Sequence, residues 1–180
     1  MKIKMKDGSI READFKEELG KNAFWHTTAH ILAQAIKRLY PDTKCAIGPS
    51  ITNGFYYDFD FHFHFSEENL AEVEAEMKKI VNENLQLKHF IVDHKKAIQI
   101  MEEKNESYKI ELLNELPKEE KISFYQQGEY LEMCAGPHIA YTNAIKAFKL
   151  LSIAGAYWRG NEKNKMLTRI YGISFPSKDL

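Results

Sequence analysis

The spacing of apolar residues along the chain predicts helices in four places. Between residues 23 and 39, apolar side chains recur every three or four positions, and Pro41 closes the pattern. A second helix is predicted after Ser66, whose hydroxyl suits an N-cap, and it carries an apolar stripe. Asp93 is predicted to cap a third helix, and a fourth extends to Pro117.

Alternation of apolar and polar residues predicts strands in most of the remaining chain. An Asp-Gly pair at residues 7–8 and an Asn-Gly pair at residues 53–54 are turn signals. Aromatic residues alternate with polar ones over residues 55–65, which predicts a strand with His62 and His64 on one half-exposed face. Together these elements predict a single α+β domain, with helices packed on one side of an antiparallel β-sheet.

The length of 180 residues fits one domain with its own core and a short appendage. Residues 1–20 are predicted to form an N-terminal hairpin-like remnant. Because two short strands alone are marginally stable, this hairpin is expected to pack against the rest of the chain. Residues 21–176 are predicted to form the main domain, and residues 177–180 a C-terminal tail.

Charge is distributed unevenly along the chain. The formal net charge of −1 and the isoelectric point of about 6.7 exclude a polyanion binder that works by bulk charge. Residues 66–120 hold 14 acidic and 8 basic residues, a net charge of −6. Residues 145–180 hold 7 basic and 2 acidic residues, a net charge of +5. Such a basic segment can steer a nucleic acid, although surface lysines are more often simply solvated.

Cysteine content and hydropathy indicate the compartment. The two cysteines, Cys45 and Cys134, are too few for a disulfide framework, which fits a reducing environment. No apolar run approaches the length of a membrane-spanning helix, and the N-terminal "MKIKMKDGSI" lacks the apolar core of a signal peptide. A cytoplasmic protein without a membrane partner is therefore expected.

Two pairs of side chains with four-residue spacing are candidates for chemistry. His26 and His30, in "FWHTTAHIL", would lie on the same face of a helix. Zinc peptidases use this spacing with a glutamate base directly after the first histidine, but here that residue is Thr27. Cys134 and His138, in "MCAGPHI", are separated by a Gly-Pro pair that disfavours a helix and predicts a loop.

Two chemistries stay open for these four side chains. Three imidazoles and a thiol suit tetrahedral zinc, and they equally suit an acid–base site that orients a water molecule. A single histidine is more often a surface or core-edge residue, and a cysteine usually packs in the core. Two such pairs in one small domain nevertheless favour a function.

Five blocks of sequence carry a resemblance that extends from about Phe24 to Pro176. The blocks are "HTTAH", "AIGPSITNGFYYDFDF", "ESYK", "YLEMCAGPH" and "AGAYWRGNEKNKMLTRIYG". In this order and spacing they resemble the editing region of bacterial threonyl-tRNA synthetases. Editing proteins of the alanyl type share both four-spaced pairs, but they usually carry Gly-Thr where this chain has Gly136-Pro137.

The resemblance implies that residues 21–176 form a tRNA-editing (deacylase) domain, which hydrolyses the ester of serine mischarged on tRNA(Thr). A threonine-charging site excludes serine poorly, because one missing methyl group discriminates by only about 1–3 kcal/mol. The implied partners are the acceptor end of tRNA(Thr) carrying serine and the remainder of a threonyl-tRNA synthetase. The basic segment, residues 145–180, is expected to meet the acceptor end. The chain contains no ATP-binding motif, so charging of tRNA is not expected of it.

The resemblance also implies the site residues. Its catalytic residues would be His26, His30, Lys109, Cys134 and His138. Tyr57 would lie near the terminal adenosine, and Glu132 would contact the substrate at a position where the family commonly has Asp. Ala135 stands where the family commonly has Arg.

Alternatives stay open both for the cofactor and for the function. Threonyl-type editing resembles a metal-free site, so no cofactor is required. Zinc, if it is bound, would be held by His26, His30, Cys134 and His138. One alternative function is a non-catalytic module that positions tRNA and has a structural His/Cys zinc site. The other is a freestanding deacylase for alanyl-type mischarging.

Overall fold

Four α-helices form in the computed structural model, which describes residues 1–179. The predicted end of the C-terminal tail, residue 180, lies outside the described residues. The helices are α1 (Glu18–Leu39), α2 (Leu70–Asn82), α3 (His94–Glu103) and α4 (Ser107–Asn114). None of these helices is both long and apolar enough to cross a membrane.

The strands form three antiparallel sheets in the described part of the chain. The strands are β1 (Lys2–Lys4), β2 (Ile10–Glu12), β3 (Lys44–Cys45), β4 (Ser50–Ile51), β5 (Gly54–Asp60), β6 (Leu87–Val92), β7 (Ile122–Gln127), β8 (Tyr130–Met133), β9 (His138–Ile139), β10 (Ala147–Tyr157) and β11 (Met166–Phe175). One sheet has the order β2-β1-β9, another has β10-β11-β5-β3 with β4 beside β5, and the third has β6-β7-β8. The predicted α+β class is confirmed, with three sheets in place of one.

Helix α1 is the central element of the fold. Every residue from Ala23 to Ile36 is buried except His26, which is half-buried. This pattern arises because α1 contacts β5, β9, β11 and α2 on different sides. A helix enclosed in this way can place a polar side chain in the interior, provided that the side chain finds partners there.

The N-terminal hairpin pairs with strand β9. Strand β1 pairs with β2 as predicted, and its other edge pairs with β9, where Lys4 lies opposite His138. The hairpin therefore helps to hold the backbone at His138. The division of the chain at residues 20 and 176 stays a prediction.

Three predicted boundaries are wrong. Helix α4 ends at Asn114 and does not extend to Pro117. Helix α1 begins at Glu18, ahead of residue 23, because polar residues form its first turns and give no apolar period. Strand β5 ends at Asp60, so residues 61–65 are not a strand. The aromatic rings after β5 pack on one another instead, with Phe61 and Phe65 stacked at 4.5 Å between ring centroids. His62 and His64 are consequently exposed, with His62 on a bend.

Candidate active site

Two elements bring the four-spaced pairs together. His26 and His30 lie one turn apart on α1, with their ring centroids 4.8 Å apart. Cys134 directly follows β8, and His138 begins β9. Gly136 makes the turn between them with a φ of +73°, and a Cβ atom there would lie 2.3 Å from the hydroxyl oxygen of Tyr125. Glycine is therefore required at this position by backbone conformation and by space.

The four side chains form a compact cluster. Their ligand atoms all lie within 4.8 Å of one another. The Cys134 sulfur lies 3.2 Å from Nε2 of His138 and 3.4 Å from Nε2 of His26. The rings of His26 and His138 stack with centroids 4.3 Å apart. Three imidazoles therefore surround one thiol.

A buried carboxylate adjoins this cluster. Glu132, on β8, receives a hydrogen bond of 2.9 Å from the Lys109 ammonium and another from the Tyr57 hydroxyl. Nε2 of His30 lies 2.7 Å from the second carboxylate oxygen, Oε2. The ring N–H is not aligned with this contact, so among residues 1–179 Oε2 has no well-directed hydrogen-bond donor. Glu132 thus links Lys109 and Tyr57 to the histidine cluster.

One further side chain, that of Thr27, contacts the cluster. The Thr27 hydroxyl lies 2.9 Å from Nδ1 of His138, on the side of the ring opposite Cys134. In the sequence, Thr27 stands out only as the position where a zinc peptidase would carry its base. The threonine is one residue from His26 in the chain, but its partner His138 is 111 positions away. No local signal identifies such a contact.

Burial sets the protonation states of the cluster. Burial, together with the nearby charge of His30, lowers the pKa of His26 to about 3. The pKa of His138 also falls well below its usual value for these reasons. Burial and the negative charge of Glu132 raise the pKa of the Cys134 thiol to about 12. At neutral pH the site therefore offers two neutral imidazoles beside a protonated thiol.

Lys109 and Glu132 stay ionised despite their burial. Burial acts to raise the pKa of Glu132, but the positive charges of His30 and Lys109 outweigh it, and the pKa lies well below its usual value. Burial acts to lower the pKa of Lys109, but the charge of Glu132 outweighs it and raises the pKa. These two side chains are only 5% and 3% exposed. They therefore form a buried ion pair.

A cleft borders the cluster at Cys134. Its volume is about 330 Å³, and it is lined by Cys134, Ala135, Met133 and Ser123, among others. A separate cleft of about 270 Å³ lies beside Tyr130 and holds none of the predicted site residues.

All seven predicted site residues belong to this one connected cluster. They are His26, His30, Tyr57, Lys109, Glu132, Cys134 and His138. The second cysteine, Cys45, is fully buried among apolar residues of the core, as predicted. The structure brings the predicted residues together, and their chemical roles remain to be assigned.

Comparison with known proteins bears on these roles. Residues 122–171 match the family described as the threonyl and alanyl tRNA synthetase second additional domain. The matched segment includes Glu132, Cys134 and His138. The chain is also 59% identical to a threonine--tRNA ligase of Acetivibrio thermocellus over 172 residues, which are 96% of this chain and 27% of that protein.

Other threonine--tRNA ligases show the same pattern. The protein of Caldanaerobacter subterraneus is 55% identical over 97% of this chain and 27% of its own length. The protein of Clostridium novyi is 56% identical over 99% of this chain and 28% of its own length. The chain thus spans little more than a quarter of the length of the curated relatives that it matches.

Residues 122–171 are thus similar to the second additional domain of threonyl and alanyl tRNA synthetases. Nearly the whole chain is similar to a part of threonine--tRNA ligases.

Proposed function

We propose that this site hydrolyses the ester bond of aminoacyl-tRNA, and that its substrate is serine mischarged on tRNA(Thr). The observation that carries the proposal is the neutral imidazole of His26, which lies half-buried with its Nε2 atom 3.4 Å from the sulfur of the protonated Cys134 thiol. A neutral imidazole can accept a proton from an attacking water molecule, which an imidazolium cannot do. The reaction would take place within the remainder of a threonyl-tRNA synthetase, in the cytoplasm.

The roles of the cluster follow from its geometry. We assign His26 to deprotonating the attacking water, and His30 to orienting it. The Cys134 thiol forms part of the wall against which the ester would lie, and the buried His138 packs behind it. Lys109 is held by Glu132, so its positive charge is fixed in place and would stabilise negative charge that develops on the ester oxygen.

Glu132 and Tyr57 support the site in different ways. Tyr57 is fully buried and its hydroxyl bonds to Glu132, so we propose that it orients that carboxylate and does not itself touch the adenosine. Glu132 is also buried, so we propose that it acts on the substrate indirectly, by holding Lys109 and the ring of His30 in place.

A metal ion would also fit the four-residue cluster. If zinc binds, His26, His30, Cys134 and His138 would hold it, and the ion would supply Lewis-acid polarisation of the ester or of a water molecule. The sulfur–nitrogen distances of 3.2 and 3.4 Å are compatible with two ligands of one small ion. The proposal nevertheless rests on the side chains alone, because their neutral forms already provide an acceptor and a donor.

Deacylation assays test the proposed function. The chain is incubated with tRNA(Thr) carrying serine, with the same tRNA carrying threonine, and with tRNA(Ala) carrying alanine or serine. Rapid loss of serine from tRNA(Thr), with threonine retained, is expected. Preferred hydrolysis of the tRNA(Ala) esters would point to the alanyl type, and no hydrolysis of any ester would leave a tRNA-positioning module.

Metal content is measured on the same preparation. Elemental analysis of protein purified without added metal, and assays with and without a chelator, are expected to show activity that does not depend on zinc. Stoichiometric zinc, with activity lost to the chelator, would overturn the metal-free form of the proposal.

A further inference from the structure

We propose that Thr27 is a positioning residue that holds His138 in the tautomer protonated at Nδ1 and aims the bare Nε2 nitrogen at Cys134. Thr27 does not touch the cleft, since it is completely buried on α1. It acts through His138, which is also completely buried. The catalytic part of this inference rests on the proposed deacylase function, whereas the tautomer itself does not.

The contacts of the Thr27 hydroxyl carry the assignment. Its oxygen lies 2.8 Å from the carbonyl oxygen of Ala23, 3.1 Å from the backbone nitrogen of Ile139 and 2.9 Å from Nδ1 of His138. A hydroxyl has one proton to donate and two lone pairs to accept with. The Ala23 carbonyl can only accept, and the Ile139 N–H can only donate. In its contact with His138, the Thr27 oxygen can therefore only accept, through its second lone pair. The proton of this hydrogen bond must belong to Nδ1 of His138.

The opposite arrangement is disfavoured by oxygen–oxygen repulsion. If Thr27 donated its proton to Nδ1, its lone pairs would face the Ala23 carbonyl oxygen across 2.8 Å with no proton between them. Two acceptors at that separation repel each other in a buried, low-dielectric setting. With Nδ1 protonated, each group around the Thr27 hydroxyl forms a hydrogen bond with it. No two acceptors then face each other.

The tautomer of His138 determines where the Cys134 thiol can donate its proton. A neutral imidazole protonated at Nδ1 has a lone pair on Nε2, and this nitrogen lies 3.2 Å from the Cys134 sulfur. That sulfur also receives the N–H of Gly136 at 3.1 Å. The thiol can therefore donate its proton to His138, which leaves the unprotonated ring nitrogen of His26 to accept a proton from the attacking water. Thr27 thereby assigns the two histidines their separate roles.

The chain contains a matched control for this residue. Thr28 is the next residue on α1, it is equally buried, and its hydroxyl bonds to the Phe24 carbonyl oxygen at 2.9 Å. Its other partner is the Ser174 hydroxyl, on the side of the helix away from the histidines. Replacing either threonine by valine removes one buried hydroxyl at nearly constant volume. Only the change at Thr27 affects His138.

The experiment combines nitrogen NMR with kinetics on the parent and on three variants, Thr27→Val, Thr27→Ser and Thr28→Val. In the ¹⁵N-labelled parent, His138 is expected to carry its proton on Nδ1. In Thr27→Val the signals are expected to shift toward the tautomer protonated at Nε2. Thr27→Ser keeps the hydroxyl and is expected to restore the parent spectrum, whereas Thr28→Val is expected to leave it unchanged.

Deacylation of seryl-tRNA(Thr) provides the second measurement. Hydrogen-bond partners that orient metal-bound histidines typically contribute about 10–100-fold to activity. We expect the same order for this histidine, so Thr27→Val should lower kcat by about 10–100-fold with little change in KM. Thr27→Ser should recover most of that loss. An equal loss of kcat in Thr28→Val would overturn the positioning role, because it would show a general effect of removing a buried hydroxyl.

The two proposals can fail separately. A parent spectrum with the His138 proton on Nε2 would overturn the tautomer assignment whatever the activity, and it does not require any variant to fold. Absence of deacylation, with the expected spectra in the parent and in Thr27→Val, would overturn the proposed function and leave the tautomer assignment in place.

Discussion

The side chain of His26 is the residue on which the proposed chemistry depends most directly. Positioned proton-transfer groups contribute about 10²–10⁴-fold to rate, so His26→Ala is expected to lower deacylation of seryl-tRNA(Thr) by that order. Its half-buried position means that the fold should tolerate the change. His62→Ala is the control, because His62 is exposed on a bend outside the site. A His26→Ala protein with the parent rate would transfer the proton-accepting role to the substrate.

The ion pair between Lys109 and Glu132 makes a prediction about stability. Removal of one partner from a buried pair leaves an uncompensated charge and costs about 3–5 kcal/mol. Lys109→Met is therefore expected to lower the free energy of unfolding in urea by that amount. The double variant Lys109→Met/Glu132→Leu removes both charges and should be closer to the parent. Equal destabilisation of the single and double variants would contradict this account.

At the scale of elements, the loop between β8 and β9 depends on Gly136. An alanine there would have to adopt a positive φ, and its Cβ would meet the Tyr125 hydroxyl at 2.3 Å. Gly160 is the matched control, since its φ of +69° is similar but nothing lies within 4 Å of an added Cβ. Gly160→Ala is expected to cost about 1–2 kcal/mol for the backbone conformation alone.

Gly136→Ala is therefore expected to destabilise the protein more than Gly160→Ala does, when both are measured by urea unfolding. It should also reduce deacylation, because the loop carries Cys134 and His138. Equal stability loss in the two variants would mean that the contact with Tyr125 relaxes easily.

A second prediction concerns the junction of α1, α2 and the turn between β7 and β8. Arg38, near the end of α1, bonds to Glu83 after α2 and to Glu129 in the turn. The hydrogen bonds from Arg38 lower the pKa of Glu129 below its usual value of 4.5, against a smaller opposing effect of burial. A lowered pKa means that the folded state binds this proton less readily than the unfolded state does.

The contribution of Glu129 is therefore present above about pH 4.5 and is lost as the pH falls through its folded pKa. Glu129→Gln is expected to destabilise the protein by about 0.5–1 kcal/mol at neutral pH, because the pair is largely exposed. The difference from the parent should vanish under acidic conditions. Glu119→Gln, at an exposed position, is the control. A difference that stays constant as the pH falls well below 4.5 would contradict the assignment.

At the scale of the whole molecule, tertiary ion pairs neutralise much of the basic segment. Carboxylates from other parts of the chain pair with four of its seven cations, which are Lys149, Arg159, Lys165 and Arg169. Lys146 and Lys178 instead line a cleft of about 630 Å³ together with Lys78 of α2. The expected nucleic-acid contact of this segment therefore concentrates on the lysines of that cleft.

Measurements of tRNA binding over a series of salt concentrations test which lysines of the basic segment contact the tRNA. The affinity falls with salt in proportion to the number of phosphates that are neutralised, with a slope of about 0.7–0.9 for each one. Lys146→Ala/Lys178→Ala is expected to weaken binding and reduce the slope by roughly one to two units. Lys163→Ala/Lys165→Ala is expected to have a smaller effect, since Lys165 already pairs with Asp60 at 2.8 Å. The reverse order would place the contact on the turn between β10 and β11.

Local sequence determined the elements and most of the candidate site. The apolar period identified α1, and Asp93 does cap α3, where it accepts the N–H of Lys96 at 2.8 Å. The two four-spaced pairs were visible because helix geometry and a Gly-Pro turn act over a few residues. The resemblance added Lys109, Tyr57 and Glu132, for which no local pattern exists.

Features that depend on contacts between residues far apart in the chain were decided only by the tertiary structure. The end of β5 at Asp60 was hidden, because the aromatic residues that follow alternate like a strand but pack on one another. The ionised state of Glu132 comes from Lys109 and His30, and the tautomer of His138 comes from Thr27. Periodicity reports which face of an element is buried. It does not report which groups meet there, because these contacts join residues that are far apart in the chain.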